Sequence, residues 1–161
     1  MKLVIADTSS LISLILVQQI ELVDKIFGQL YIPKAVWEEL KNYDNPELDT
    51  GSIQQLENDV LEITSNNYLS IVIDYGESET VILYEEINAD YLLIDDTKAR
   101  TIAESLGVHC IGSIGLLIKA KQKGLVTELK PIFKNWLNNE IYFSKKLLNQ
   151  ILKDVGETQF D

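Results

Sequence analysis

Lys2-Leu3-Val4-Ile5-Ala6-Asp7-Thr8-Ser9-Ser10 is the stretch whose reading decides the fold. A short apolar, β-branched run ends in an acid and three hydroxyl residues. A leucine- and isoleucine-rich stretch of helical spacing follows, continuing through Ile20, Leu22, Val23, Ile26 and Phe27 to Gly28, a residue suited to stop a helix. The same unit recurs at Tyr91-Leu92-Leu93-Ile94, which runs into Asp95-Asp96 and then a helical segment from Thr97 to Leu106 closed by Gly107. Gln29–Ile32, Val60–Ile63 and Val108–Ile111 have strand length and strand composition as well. Pro33 suits a first helical turn, and Val36, Trp37 and Leu40 then share one face. Glu77–Ile87, Ser113–Gly124, Glu128–Leu137 and Ser144–Val155 complete the helical segments, while Asn42–Gly51 and Ser65–Gly76 carry turn chemistry. Strands alternating with helices predict an α/β fold: a three-layer α/β/α sandwich around a five-stranded, mainly parallel, Rossmann-like sheet.

The length of 161 residues fits one domain, and 46% apolar with 24% charged residues is the composition of an ordinary globular protein. The expectation is a single domain over 1–161, with C-terminal helices from about 125 to 155 packed on it. The longest apolar stretch, Leu11 to Val17, is interrupted by Ser13 and is far too short to cross a bilayer. The N-terminus lacks a secretory pattern, so the expected location is cytoplasmic, with no membrane partner. One cysteine, Cys110, rules out an internal disulfide and a thiolate zinc site, and one histidine, His109, rules out a histidine-rich metal centre. The net charge of −11, from 25 acidic and 14 basic residues with Arg100 the sole arginine, disfavours non-specific affinity for phosphate backbones. A nucleic acid would have to be met through a local patch or through bound cations.

In an open parallel sheet, ligands sit beyond the carboxyl ends of the strands, where strand order reverses. If strands two and three lie to one side of strand one and strand four to the other, Asp7 and Asp95 or Asp96 become neighbours there. Two helices offer more acids. Glu39 lies about 60° from Val36 at roughly 100° per residue and borders the core, whereas Glu38 faces solvent. Glu79 stacks one turn before Leu83 and is the better inward candidate; Glu77 stands in the first turn, where it suits a cap. Each acid alone also reads as a helix cap or a solvated side chain. Together they would form a cluster that is unfavourable unless cations or protons fill it. Oxygen ligands without Cys or His suit Mg2+ or Mn2+.

Five pieces in order resemble the PIN domain family of metal-dependent ribonucleases. They are Val4-Ile-Ala-Asp7-Thr-Ser-Ser-Leu-Ile, Ile32-Pro-Lys-Ala-Val-Trp-Glu-Glu39-Leu, Asp74-Tyr-Gly-Glu-Ser-Glu79-Thr, Leu92-Leu-Ile-Asp-Asp96-Thr-Lys-Ala-Arg100 and Gly112-Ser-Ile-Gly-Leu-Leu-Ile-Lys-Ala-Lys. The resemblance spans residues 1 to about 125, and its Gly-Glu-Ser-Glu and Leu-Ile-Asp-Asp pieces look like an uncharacterised nucleic-acid-binding branch of that family. It implies a Mg2+- or Mn2+-dependent endoribonuclease that hydrolyses RNA phosphodiester bonds, a candidate toxin of a toxin-antitoxin pair. Asp7, Glu39, Glu79 and Asp96 would be the catalytic acids, with Asp7, Asp95, Asp96 and Glu79 as metal ligands. Asp95 and Asp96 compete for one ligand position. Ser9 matches a small hydroxyl residue at the site, and Lys98 and Arg100 are candidate phosphate contacts, with Lys119, Lys121 and Lys123 as a second basic patch. The implied partners are RNA, a small antitoxin protein and a second copy of the chain in a homodimer. The alternative is a weakly active or inactive PIN-fold module that binds nucleic acid or protein. A phosphoaspartyl receiver or phosphatase on a similar sheet fits less well, because the phosphatase pattern wants an acid where Ser9 stands.

Overall fold

The computed structural model describes residues 1–161. Five parallel strands, β1 (Lys2–Ala6), β2 (Gly28–Pro33), β3 (Val60–Leu61), β4 (Tyr91–Leu93) and β5 (Cys110–Ile111), form one sheet in the order β3-β2-β1-β4-β5. β1 is central, with Val4 in register with Leu30 on one side and Tyr91 on the other. Its side chains alternate between two cores: Val4 and Ala6 enter the larger, Ile5 the smaller, and all three are fully buried.

Nine helices surround the sheet: α1 (Thr8–Leu16), α2 (Glu21–Ile26), α3 (Lys34–Asn42), α4 (Thr50–Gln55), α5 (Tyr75–Glu86), α6 (Thr97–Ser105), α7 (Ser113–Gln122), α8 (Lys130–Asn138) and α9 (Lys145–Asp154). Val81, Ile82 and Leu83 of α5, with Ala99 and Ala103 of α6, close the face that holds Ile5. Leu11, Leu14 and Ile15 of α1 and Leu116, Leu117 and Ala120 of α7 close the other, giving three α/β/α layers. Phe133, Trp136, Leu148 and Leu152 of α8 and α9 join that second core with no exposed surface, and the Trp136 indole donates to the Ser13 carbonyl at 2.7 Å.

Three details depart from the sequence reading. The helical run after Asp7 breaks at Gln18, whose φ of 56° is left-handed; its N–H donates to Ile15 O and that of Gln19 to Leu14 O, a Schellman end made without glycine. The turn-rich stretch after Asn42 leads into α4, capped by Asp49, which accepts from Gly51 and Ser52 N–H. Both outermost strands are two residues long, shorter than their apolar runs, because an edge strand needs pairing on one side only. Gly107 and Gly124, at φ of 83° and 72°, end α6 and α7 as their positions suggest.

Candidate metal centre and active site

The strand order puts the carboxyl end of β1 between those of β2 and β4, at the switch point. Asp7 stands there at 1% exposure, its N–H donating to Leu93 O at 3.0 Å across to β4. One carboxylate oxygen, Oδ1, caps α1 by accepting Ser10 N–H at 2.9 Å and the Ser10 hydroxyl. The other, Oδ2, is buried and has no partner. Burial, partly offset by the Ser10 bonds and reinforced by the charges of Asp95 and Glu77, pushes the Asp7 carboxyl up to about 7.

The paired acids after β4 divide their work. Asp95 is held on several sides: Oδ1 accepts Ser113 N–H at 2.8 Å, and Oδ2 accepts the hydroxyls of Ser113 and Tyr142. Asp96 is exposed and caps α6 through Oδ1, which accepts Ala99 N–H at 2.7 Å, so its second oxygen is available to a ligand. Tyr142 comes from the connection between α8 and α9, and its hydroxyl also lies 3.3 Å from Ser9 O. Burial of that hydroxyl and the negative Asp95 push it well above the usual phenol range, although the outer part of the ring is exposed.

Glu39 reaches the same cleft from α3, where the Thr8 hydroxyl donates to it. It crosses so close over Gly76 that a Cβ there would overlap its carboxylate. The glycine of Gly-Glu-Ser-Glu is therefore a clearance for Glu39. Glu77 closes the group from the first turn of α5. A carboxylate there suits the helix N-terminus, and Glu77 faces Asp96, Asp74 and Glu39. Partial burial first, then those three like charges, push Glu77 up to about 7.

Asp7, Asp95 and Asp96 thus stand at the carboxyl ends of β1 and β4, Glu39 lines an adjoining groove with Glu79, and Glu77, which faces both Asp96 and Glu39, lies between the two. Glu79 is inward-facing, as its place one turn before Leu83 suggests, but its carboxylate accepts Ala35 N–H at 3.1 Å and caps α3. Ser9 lines a groove of about 290 Å3 with Asp95, Asp96, Thr97 and Tyr142. Lys98 is exposed beside Asp96, and Arg100 pairs with Glu104 at 2.9 Å. Lys119 lies over the Phe27 and Tyr91 rings, at the amino ends of the strands, and Lys121 binds Glu157. His109 is exposed at those amino ends, next to the Tyr91 ring. Thr8, Ser113 and Tyr142 were not singled out for the cleft by sequence. Thr8 and Ser113 had a signal, a hydroxyl directly after a strand; Tyr142 had none, since no local pattern ties the α8–α9 connection to β4.

The fit of a divalent cation rests on the chemistry of these donors. A buried, unpartnered carboxylate oxygen beside further acids, two of which take up protons near neutrality, is a site short of positive charge. No three acidic side chains lie at ligand spacing, and Asp96 and Glu39 are both exposed.

A parallel α/β/α sheet with acids gathered at its switch point is the layout of a nuclease-type domain. A family model described as a PIN domain matches residues 3–157, and the chain belongs to the PIN domain family. PIN domains are generally nucleases, act on nucleic acid and typically use divalent metals. No curated protein matches the chain in sequence. No helix is long and apolar enough to cross a membrane.

Proposed function

We propose that the chain is a divalent-metal-dependent endoribonuclease that hydrolyses phosphodiester bonds of single-stranded RNA. The observation that carries this reading is the buried, unpartnered Oδ2 of Asp7 inside an acid cluster. Asp7, Asp96 and Glu77 would hold Mg2+ or Mn2+, Glu39 would complete the shell or bind its outer waters, and Asp95 would be the acid that Ser113 and Tyr142 keep in place. When bound, the cation would lower the pKa of a water and neutralise charge on the phosphoryl group. A neighbouring carboxylate of the cluster would accept the proton that this water loses. Ser9 lines the groove beside Asp95 and Asp96, Lys98 is exposed two residues beyond Asp96 as a candidate phosphate contact, and Arg100 would have to exchange Glu104 for a phosphate. Glu79 supports the site by fixing the first turn of α3, from which Glu39 projects. A single domain and a cytoplasmic location are part of this proposal, and a homodimer and a small antitoxin partner belong to it through the family resemblance.

The test is cleavage of a labelled single-stranded RNA in Mg2+ or Mn2+ by wild type, Asp7→Asn, Asp96→Asn and Glu77→Gln. Turnover unchanged in folded variants would remove the metal-nuclease reading. The second reading, a binding module without turnover, is favoured by the lack of three acids at ligand spacing. It predicts RNA or protein binding that calorimetry detects while no metal supports cleavage.

A further inference from the structure

A net charge of −11 and an acid-lined cleft leave phosphate attraction little part in holding RNA, so affinity must come from elsewhere. Two tyrosines flank the cleft. Tyr142 floors the groove beside Asp95 and Asp96, on the β4 side of Asp7. Tyr75, the first residue of α5, lines a groove of about 360 Å3 with Lys34, Glu39 and Glu79, on the β2 side. Their exposures, 54% for Tyr142 and 58% for Tyr75, are high for large aromatic rings. The Tyr142 hydroxyl is nevertheless tethered, donating to Asp95, and Tyr75 shares its groove with the Glu79 carboxylate. The Tyr142 ring is backed by Phe143 at 4.6 Å, which packs on the buried Trp136 at 4.8 Å. A ring fixed at its hydroxyl end but open to solvent is a prepared stacking surface, since little freedom is lost when a base settles on it.

We propose that Tyr75 and Tyr142 are stacking platforms for unpaired bases, one on either side of the phosphate held at the acid cluster, and that they select single-stranded over duplex RNA. The inference rests on the ribonuclease reading for the place of that phosphate. A paired base shows only its edge to either ring, whereas an unpaired one can offer its face.

The test is fluorescence anisotropy of a ten-nucleotide RNA bound to the full chain, with Ca2+ in place of Mg2+, as a single strand and as a duplex. Cleavage in Mg2+ and Mn2+ is scored in parallel. Tyr75→Ala and Tyr142→Ala should each weaken single-strand binding roughly 5- to 50-fold, while Tyr75→Phe and Tyr142→Phe stay within about threefold of wild type. Removing the base from the matching nucleotide should abolish the alanine penalty, the mark of a direct ring–base contact. Alanine variants that melt like wild type and bind single strands equally well would overturn the proposal. So would an equal penalty on base-free RNA, or no binding of either RNA form. Tyrosine-dependent binding without hydrolysis in any metal would sustain the platforms and remove the ribonuclease reading alone.

Discussion

Asp7→Asn should make the metal-free protein more stable at pH 8 and no more stable at pH 4. The Asp7 carboxyl is raised from 3.8 to about 7, chiefly by burial. At about 1.4 kcal/mol per pH unit, this amounts to about 4 kcal/mol held against the ionised form. The folded state binds the extra proton between pH 4 and 7. The associated stability is therefore fully present below pH 4 and lost as pH rises through 7. Asparagine removes the charge and keeps an oxygen for Ser10 N–H, but places a buried NH2 where Oδ2 had no partner, which costs about 1–3 kcal/mol. The net gain at pH 8 is about 2 kcal/mol, or roughly 4–8 °C in Tm for a chain of this size. At pH 4 the comparison is between two neutral side chains and the gain disappears. Thermal melts in chelator from pH 4 to 8.5 measure this directly. A pH-independent difference, or an asparagine variant that melts lower at pH 8, would refute the account of Asp7. Mn2+ added at pH 8 should raise wild type, by about 2.7 kcal/mol at a hundredfold excess over Kd, and leave Asp7→Asn unmoved.

Gly76→Ala should change stability by less than about 1 kcal/mol, since a helical alanine is favoured and only the end of a flexible side chain must move. It should still lower Mn2+ affinity severalfold in calorimetry, because the end that moves is the Glu39 carboxylate. Glu77→Gln should reduce RNA cleavage at least tenfold, and Glu79→Gln, which keeps an acceptor for Ala35 N–H, less than about threefold; the reverse order in a gel assay would restore Glu79 to the metal shell. Trp136→Phe should cost about 2–3 kcal/mol in urea unfolding, from lost volume and a Ser13 carbonyl left without its donor. Glu86 accepts the N–H groups and hydroxyls of Thr64 and Ser65, bonds that hold its carboxyl down at about 2. Glu86→Ala should therefore cost about 1 kcal/mol at neutral pH, a loss that urea unfolding should find shrinking as pH falls from 4.5 toward 2.

The central strand and its acid were legible because they are encoded within about ten residues: an apolar run, a carboxylate, then helical spacing. The pairing with β4 was reached only as a condition on strand order, and Glu39 by helical periodicity about Val36. Between Glu77 and Glu79 a helical wheel was a weaker guide. It identified Glu79 as inward, and Glu79 is inward, but the wheel cannot say what lies opposite. The surface facing Glu79 is the first turn of α3, whereas the cleft lies off the end of α5, where an N3 residue such as Glu77 projects. Gln18 was illegible for another reason. A left-handed residue without glycine is fixed by the bonds its own N–H makes to Ile15 O and the next residue's N–H makes to Leu14 O, not by its own preference. Tyr142 reaches Asp95 across 47 positions of sequence, a distance over which only the completed fold carries information.

Under the proposed metal-nuclease function, helix capping and cation binding are not competing roles for these acids; the first arranges the second. Asp7 and Asp96 each commit Oδ1 to the helix that follows, and Glu77 stands in the first turn of α5. Each cap fixes the direction of a short side chain with bonds that need no metal. The like charges can then be held around one cleft in the empty protein, at the cost of protons retained near pH 7. Those protons are what a cation would displace. The order of events this implies is folding first, proton release second. Cation affinity should therefore rise with pH between 6 and 8, with up to two protons released per binding event, one each from Asp7 and Glu77. Calorimetry of Mn2+ binding in buffers of different ionisation enthalpy reads that number, and a value of zero would mean that the cation does not meet Asp7 and Glu77.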